Sequence, residues 1–191
     1  MRVLSDDRQP AIIVFSGPAC SGKSTVACLL SERIGAVHLE MDAVRERLLP
    51  GAAHTRADRE VALRAMLWAA ELLIRHGVSV ILDAQYRREE DRQAVRELGE
   101  RLGCRVRLVE WAVSEAEAVR RFQSRLPDPV RKDLTEDAVR EGARSFPYSY
   151  EGLFVDTTGL PLEQAVEIVE HYLRSGSRAP QALHGHIATR D

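Results

Sequence analysis

Gly17, Gly22, Lys23 and Ser24 occupy the fixed positions of the pattern G-x-x-x-x-G-K-[ST] within GPACSGKST, residues 17–25. These residue types at this spacing can cradle phosphate. Glycine opens backbone conformations closed to residues with a Cβ, so successive N–H groups can turn inward as an anion nest. Pro18, Ala19, Cys20 and Ser21 complete the loop, and Thr25 follows it. A helix starting near Lys23 adds the positive end of its dipole. The Lys is informative because the chain contains 25 Arg and only 2 Lys. A compact ammonium on a flexible stem reaches between terminal phosphates, where a planar guanidinium fork fits poorly. Ser24 Oγ is placed to ligate a Mg²⁺ that bridges phosphate oxygens. ATP and Mg²⁺ are the expected cofactors.

A phosphate loop says nothing about where the phosphate goes. Asp42 and Arg45, in LEMDAVRERL, are three residues apart and share a face if a helix begins there. A carboxylate beside an acceptor can take its hydroxyl proton, and a nearby Arg can hold an anion. Asp42 could equally be a helix N-cap and Arg45 a solvated surface residue. Asp83 ends the apolar stretch VSVILDA, where an acid could hold Mg²⁺ through water or cap the next helix. Arg121 and Arg125 are four apart, and Arg120, Arg131 and Lys132 flank them. They read either as a mobile lid closing over a transferred phosphoryl group or as a solvated basic face.

Alternating elements must position these residues. AIIVFS (11–16), AVHLE (36–40), VSVILDA (78–84), CRVRLVEWAV (104–113) and GLFVDT (152–157) read as strands. Helices are expected over 23–34, 56–77, 88–103, 114–126, 134–146 and 161–176, several of them stopping at Gly. Ser114 and Glu117 have capping-box spacing. The alternation predicts an α/β fold, a parallel sheet with helices on both faces. One domain over 1–174 is expected, with a lid around 120–134 and a disordered tail over 175–191.

Composition sets limits. A net charge of −2 gives no bulk attraction to nucleic acid or anionic membrane. Three cysteines without framework spacing suggest a reducing compartment. The N-terminal apolar run is too short for a membrane span. The expected location is the cytoplasm, without membrane attachment.

GPACSGKST, MDAVR, ILDAQYRREEDR and VRRFQSR, in that order, resemble the small P-loop kinases related to polynucleotide 5′-hydroxyl kinases, zeta toxins and chloramphenicol phosphotransferases. The matching region spans residues 11 to about 145. The resemblance implies a P-loop NTPase three-layer sandwich with strand order 2-3-1-4-5 and a helical lid. It implies Asp42 as general base and Arg45 on an acceptor phosphate. Arg121 and Arg125 would be the lid arginines, and Asp83 the acid ending the third strand. Gln85 falls where a polar amide contacts substrate, and 156–161 where relatives contact adenine. The implied function is ATP-dependent transfer of a γ-phosphoryl group to a hydroxyl of a small molecule or a short nucleic-acid end. The alternative is a regulatory NTPase acting through a protein partner. Residues 46–60 carry no decodable pattern. His38, Met66 and Trp68 are expected in the core or at a strand edge. Tyr148 and Tyr150 are candidates for the acceptor site.

Overall fold

The computed structural model describes residues 9–52, 55–125 and 134–175. Five parallel strands, β1 (Ala11–Ser16), β2 (Val37–Glu40), β3 (Val80–Ala84), β4 (Arg105–Ala112) and β5 (Leu153–Asp156), form one sheet in the order β2-β3-β1-β4-β5. The helices are α1 (Lys23–Ile34), α2 (Met41–Leu48), α3 (Arg56–Arg75), α4 (Glu89–Leu102), α5 (Glu115–Ser124), α6 (Glu136–Arg144) and α7 (Leu162–Arg174). The expected strand order is the observed one. Most of the expected lid, residues 126–133, and nearly all of the expected tail, 176–191, lie outside the described residues.

β1 is central, and its side chains alternate between two cores. Ile13 and Phe15 point to one face, where α1 and α7 contribute Leu30 and Val166. Ile12 and Val14 point to the other, where α3 and α4 contribute Met66 and Leu98. A strand covered on both faces must be apolar at every position, which explains the unbroken run of AIIVF. The layers are therefore helix, sheet, helix.

Local chemistry sets the element ends. Thr55 Oγ1 accepts from Asp58 N at 3.2 Å, and Thr55 N donates to Asp58 Oδ2 at 2.8 Å, a full capping box for α3. At α5 only half of the box forms. Ser114 Oγ accepts from Glu117 N at 3.3 Å, while the Glu117 carboxylate turns to Arg120 and Arg121 at 2.7 Å. Ser114 N donates instead to Thr158 Oγ1.

Trp68 is not in the core: it is 66% exposed. The buried residues of α3 include Leu63, Met66, Ala70 and Ile74. At about 100° per residue, position 68 points roughly 200° away from Met66. Met66 is fully buried, as expected.

Residues 17–22 join β1 to α1, and two glycines there have different physical reasons. Gly22, at φ 85°, uses the left-handed region open to glycine. At Gly17 the constraint is close approach: a Cβ would lie 2.5 Å from Trp111 O and 2.8 Å from Trp111 Cβ. The clash involves backbone of a central strand, which cannot give way cheaply. Gly17→Ala is expected to destabilise the fold by about 2–3 kcal/mol, read from the midpoint of urea denaturation. Wild-type stability in this variant would show that β4 can move.

Candidate active site

The site lies at the carboxyl ends of the strands, where parallel register gathers residues distant in sequence. Ser16 pairs with Ala84, and Glu40 with Asp83. Ser16 Oγ and Gly17 N donate to Gln85 O at 3.0 and 3.3 Å, fastening the start of the loop to the end of β3. Cys20, at φ 62°, is a non-glycine residue in the left-handed region. A single left-handed residue costs about 1–2 kcal/mol, so the surrounding contacts must hold the loop in shape.

Those contacts centre on Thr157, which follows β5 and is buried. Its Oγ1 donates to Ser21 O at 2.9 Å and to Ala112 O at 3.0 Å. Arg121 on α5 donates to Thr157 Oγ1 at 3.0 Å, to Thr157 O at 2.7 Å and to Cys20 O at 3.2 Å. Glu117 takes the remaining Nε donor at 2.7 Å. Arg121 thus grips the loop backbone at Cys20 O.

Behind the loop lies Asp83, 1% exposed. Lys23 Nζ is 3.8 Å from its Oδ1, and His38 Nε2 is 3.1 Å from its Oδ2. Burial opposes the charged form of Asp83, but Lys23, His38 and the Ser24 hydroxyl outweigh it and hold the carboxyl below its ordinary range. Neighbouring Glu40 is pushed up, first by burial and then by the Asp83 charge. Asp83 Oδ1 is buried without a hydrogen-bond partner among the described residues. With Ser24 beside it, this hard oxygen fits a Mg²⁺ site completed by phosphate oxygens and water. No cluster of three or more His, Cys, Asp or Glu suited to a metal occurs among the described residues.

One cleft of about 630 Å³ is lined by Cys20, Lys23, Ser24, Glu40, Asp83 and Arg121 of this arrangement. Gly22–Thr25, Arg121, Asp42, Arg45, Gln85 and Leu63 all line it. Arg125 also lines it, although it is the C-cap of α5, in extended backbone, rather than a continuation of the Arg121 face. Glu40 is the N-cap of α2, so Asp42 is a first-turn residue and not the cap. Arg45 is 2% exposed, with Nη1 3.2 Å from Asp42 Oδ1. It is therefore no solvated surface residue.

Tyr148 and Tyr150 do not line this cleft. They pack with Phe146 and Phe154 in an aromatic cluster, and Tyr148 Oη donates to Trp111 O at 3.3 Å. Arg131 and Lys132 lie outside the described residues. Sequence reading missed His38, Glu40 and Thr157. For Glu40 a signal existed: it is the last residue of β2, two before Asp42. For Thr157, four residues past Leu153, nothing local announces a contact with Ser21. No helix among the described residues is long and apolar enough to cross a membrane.

Strand order, loop and cleft together define the P-loop NTPase fold. A family model described as an AAA domain matches residues 12–148, and the chain belongs to that family. Adenylyl-sulfate kinase of Deinococcus deserti is 40% identical over 78 residues, 38% of this chain and 43% of that protein. That of Synechococcus sp. (strain JA-2-3B'a(2-13)) is 33% identical over 94 residues, 47% of this chain and 54% of that protein. The chain thus matches about half the length of these curated relatives. The structure of the Mycobacterium tuberculosis APS kinase in complex with AMPPNP and APS superposes with TM-score 0.69 at 21% identity, covering 86% of this chain and 98% of that one. A gluconokinase from Sinorhizobium meliloti 1021 gives TM-score 0.62 at 21% identity, covering 87% and 92%. At these identities the structural likeness speaks for the fold. The resemblance seen in the sequence holds at the level of P-loop kinases. These relatives are adenylyl-sulfate and sugar kinases, and they do not narrow it to polynucleotide kinases or zeta toxins.

Thr157→Val keeps the volume of the side chain and removes its hydroxyl. Ser21 O and Arg121 then lose a partner, which costs about 1–3 kcal/mol. Thermal unfolding should report this loss. Nucleotide affinity should fall roughly fivefold as the loop relaxes, about 1 kcal/mol. A variant as stable and as tight-binding as the parent would show that the loop holds its own shape.

Proposed function

We propose that the chain is an ATP-dependent kinase that transfers the γ-phosphoryl group to a hydroxyl of a small molecule. The carrying observation is that Asp42 shares one cleft with Lys23 and Ser24. The P-loop amides hold the nucleotide phosphates. Lys23 exchanges its present partner Asp83 for the terminal phosphates. Ser24 and Asp83 would hold Mg²⁺, which when bound neutralises phosphate charge. The acceptor hydroxyl lies between Asp42 and the γ-phosphorus. A new bond joins its oxygen to that phosphorus, the bond from phosphorus to the β–γ bridging oxygen breaks, and ADP leaves with that electron pair. Asp42 takes the hydroxyl proton. Arg45 fixes the orientation of Asp42 through the 3.2 Å ion pair. Arg125 offsets charge on the moving phosphoryl, and Arg121 acts through the loop it grips.

A regulatory switch would need no compartment beyond the nucleotide. Here Asp42, Leu63 and Gln85, all outside the P-loop, line the same cleft as Lys23, which favours an acceptor. The names of the relatives favour small acceptors, adenylyl sulfate or a sugar acid, over a nucleic-acid end. The net charge of −2 also disfavours a long strand.

Radiolabelled ATP and a panel containing adenylyl sulfate, gluconate and a short 5′-hydroxyl oligonucleotide test the reading. Acceptor-dependent transfer is expected with the parent chain. Asp42→Asn should lower kcat by about 10²–10⁴, and Lys23→Met by about 10²–10³. Undiminished transfer by Asp42→Asn would remove the general-base role. Acceptor-independent hydrolysis alone would point to the switch.

A further inference from the structure

Tyr86, the second residue after β3, has its backbone in the left-handed region at φ 49°. For a bulky side chain that conformation is an outlier, and it persists only where the surroundings hold it from more than one side. The Tyr86 ring is 3% exposed and belongs to the core cluster of Met66, Val95 and Leu98. Its hydroxyl has no hydrogen-bond partner among the described residues, so packing and the backbone do the holding. The two carbonyls that flank the strained residue are both occupied. Before it, Gln85 O accepts from Ser16 Oγ at 3.0 Å and from Gly17 N at 3.3 Å. After it, Tyr86 O accepts from Arg92 Nη1 at 2.8 Å. Arg92, on α4, is 8% exposed and is itself braced by Glu89 Oε2 at 2.9 Å and Pro147 O at 3.3 Å.

Peptide geometry connects the two ends. Gln85 O and Tyr86 N belong to one planar unit, and the φ of Tyr86 sets how that plane is turned relative to the rest of the residue. With the ring and Tyr86 O both fixed, the plane aims Gln85 O at the start of the P-loop. A return to negative φ would turn it by about 100° or more and take Gln85 O away from Gly17 N. Gly17 has little room to follow, because it lies against Trp111 of β4.

We infer that Arg92 is a positioning residue for the nucleotide site: it holds Tyr86 in the left-handed conformation and, through the Gln85–Tyr86 peptide, sets where the P-loop begins. It does so without lining the cleft. The inference rests on the kinase reading for the ligand, while the loop geometry it predicts can be measured without one. Three acceptors in fixed directions call for a guanidinium; a lysine in its place would keep one of them.

The test uses the full chain and its variants Arg92→Ala, Arg92→Lys and Arg96→Ala. Arg96 is the control: it also lies on α4 and bonds Glu89, but its other partners are Gln93 and Glu151. Amide exchange is followed by NMR without nucleotide, and AMPPNP binding with Mg²⁺ by calorimetry. Arg92→Ala should speed exchange at Gly17 N about tenfold relative to Val166 in the core face of α7. It should weaken AMPPNP binding about tenfold. Arg92→Lys should restore part of both losses, and Arg96→Ala should change neither. If Arg92→Ala does not fold, Arg92→Lys against the parent decides by the same two readouts. Exchange at Gly17 that rises only in step with Val166 would mark a general loss of stability and overturn the positioning role. Parent-like exchange at Gly17 in the Arg92 variants, parent-like affinity despite faster exchange, or an equal effect from Arg96→Ala would overturn it too. A parent chain that fails to bind AMPPNP would count against the kinase reading, and the exchange at Gly17 would still decide whether Arg92 sets the loop.

Discussion

A buried carboxylate between two cationic or hydrogen-bonding partners organises this molecule. Asp83 has almost no contact with solvent, so its charge depends on Lys23, His38 and the Ser24 hydroxyl around it. Removing one partner of a buried ion pair typically costs about 3–5 kcal/mol, since the other charge is stranded. These residues come from β3, α1 and β2, so the sheet register and the start of α1 must both be right for the charge to be tolerated. The same triangle holds Lys23 Nζ 3.8 Å from Asp83 Oδ1. On the proposed kinase reading a triphosphate would supply a competing negative charge, which would make the folded state and the loaded state two solutions to one electrostatic problem.

Around Asp83 the cleft lining mixes both signs. Lys23 and several arginines share it with Glu40, Asp42, Glu60 and Asp91. A reacting hydroxyl must sit where a base can reach it and repulsion between phosphates is low. Arg45, buried, holds the Asp42 carboxylate with Nη1 3.2 Å from Oδ1. Charges in such a low-dielectric cleft act more strongly than on the surface.

Much of this was legible in the sequence because it is local. The loop pattern, the apolar runs and the Gly-terminated helices depend on neighbours within a few positions. The parallel sheet follows from alternation, and the Asp42–Arg45 pair from helical spacing. What stayed hidden is tertiary. Thr157 touches Ser21 across 136 residues, a pairing no spacing rule encodes. His38 reads as an ordinary strand residue until the register places Asp83 opposite its neighbour. Trp68 misled for the opposite reason: a large aromatic ring suggests core, yet helix phase turns it outward.

The bias towards arginine has a structural use. Arg92 holds Glu89, Tyr86 O and Pro147 O at 2.9, 2.8 and 3.3 Å, tying the start of α4 to the segment before β5. Arg121 does the same for α5, the P-loop and Thr157. Both are hubs that need several donors in one plane with fixed directions, which a guanidinium provides and an ammonium does not. The opposite demand arises at position 23. On the proposed kinase reading the side chain there would leave one anion and meet another along a changing direction, and a rotating point charge on a flexible stem suits that task better than a planar guanidinium. Of the 2 lysines set against 25 arginines, Lys23 therefore stands, on that reading, where a cation would have to move.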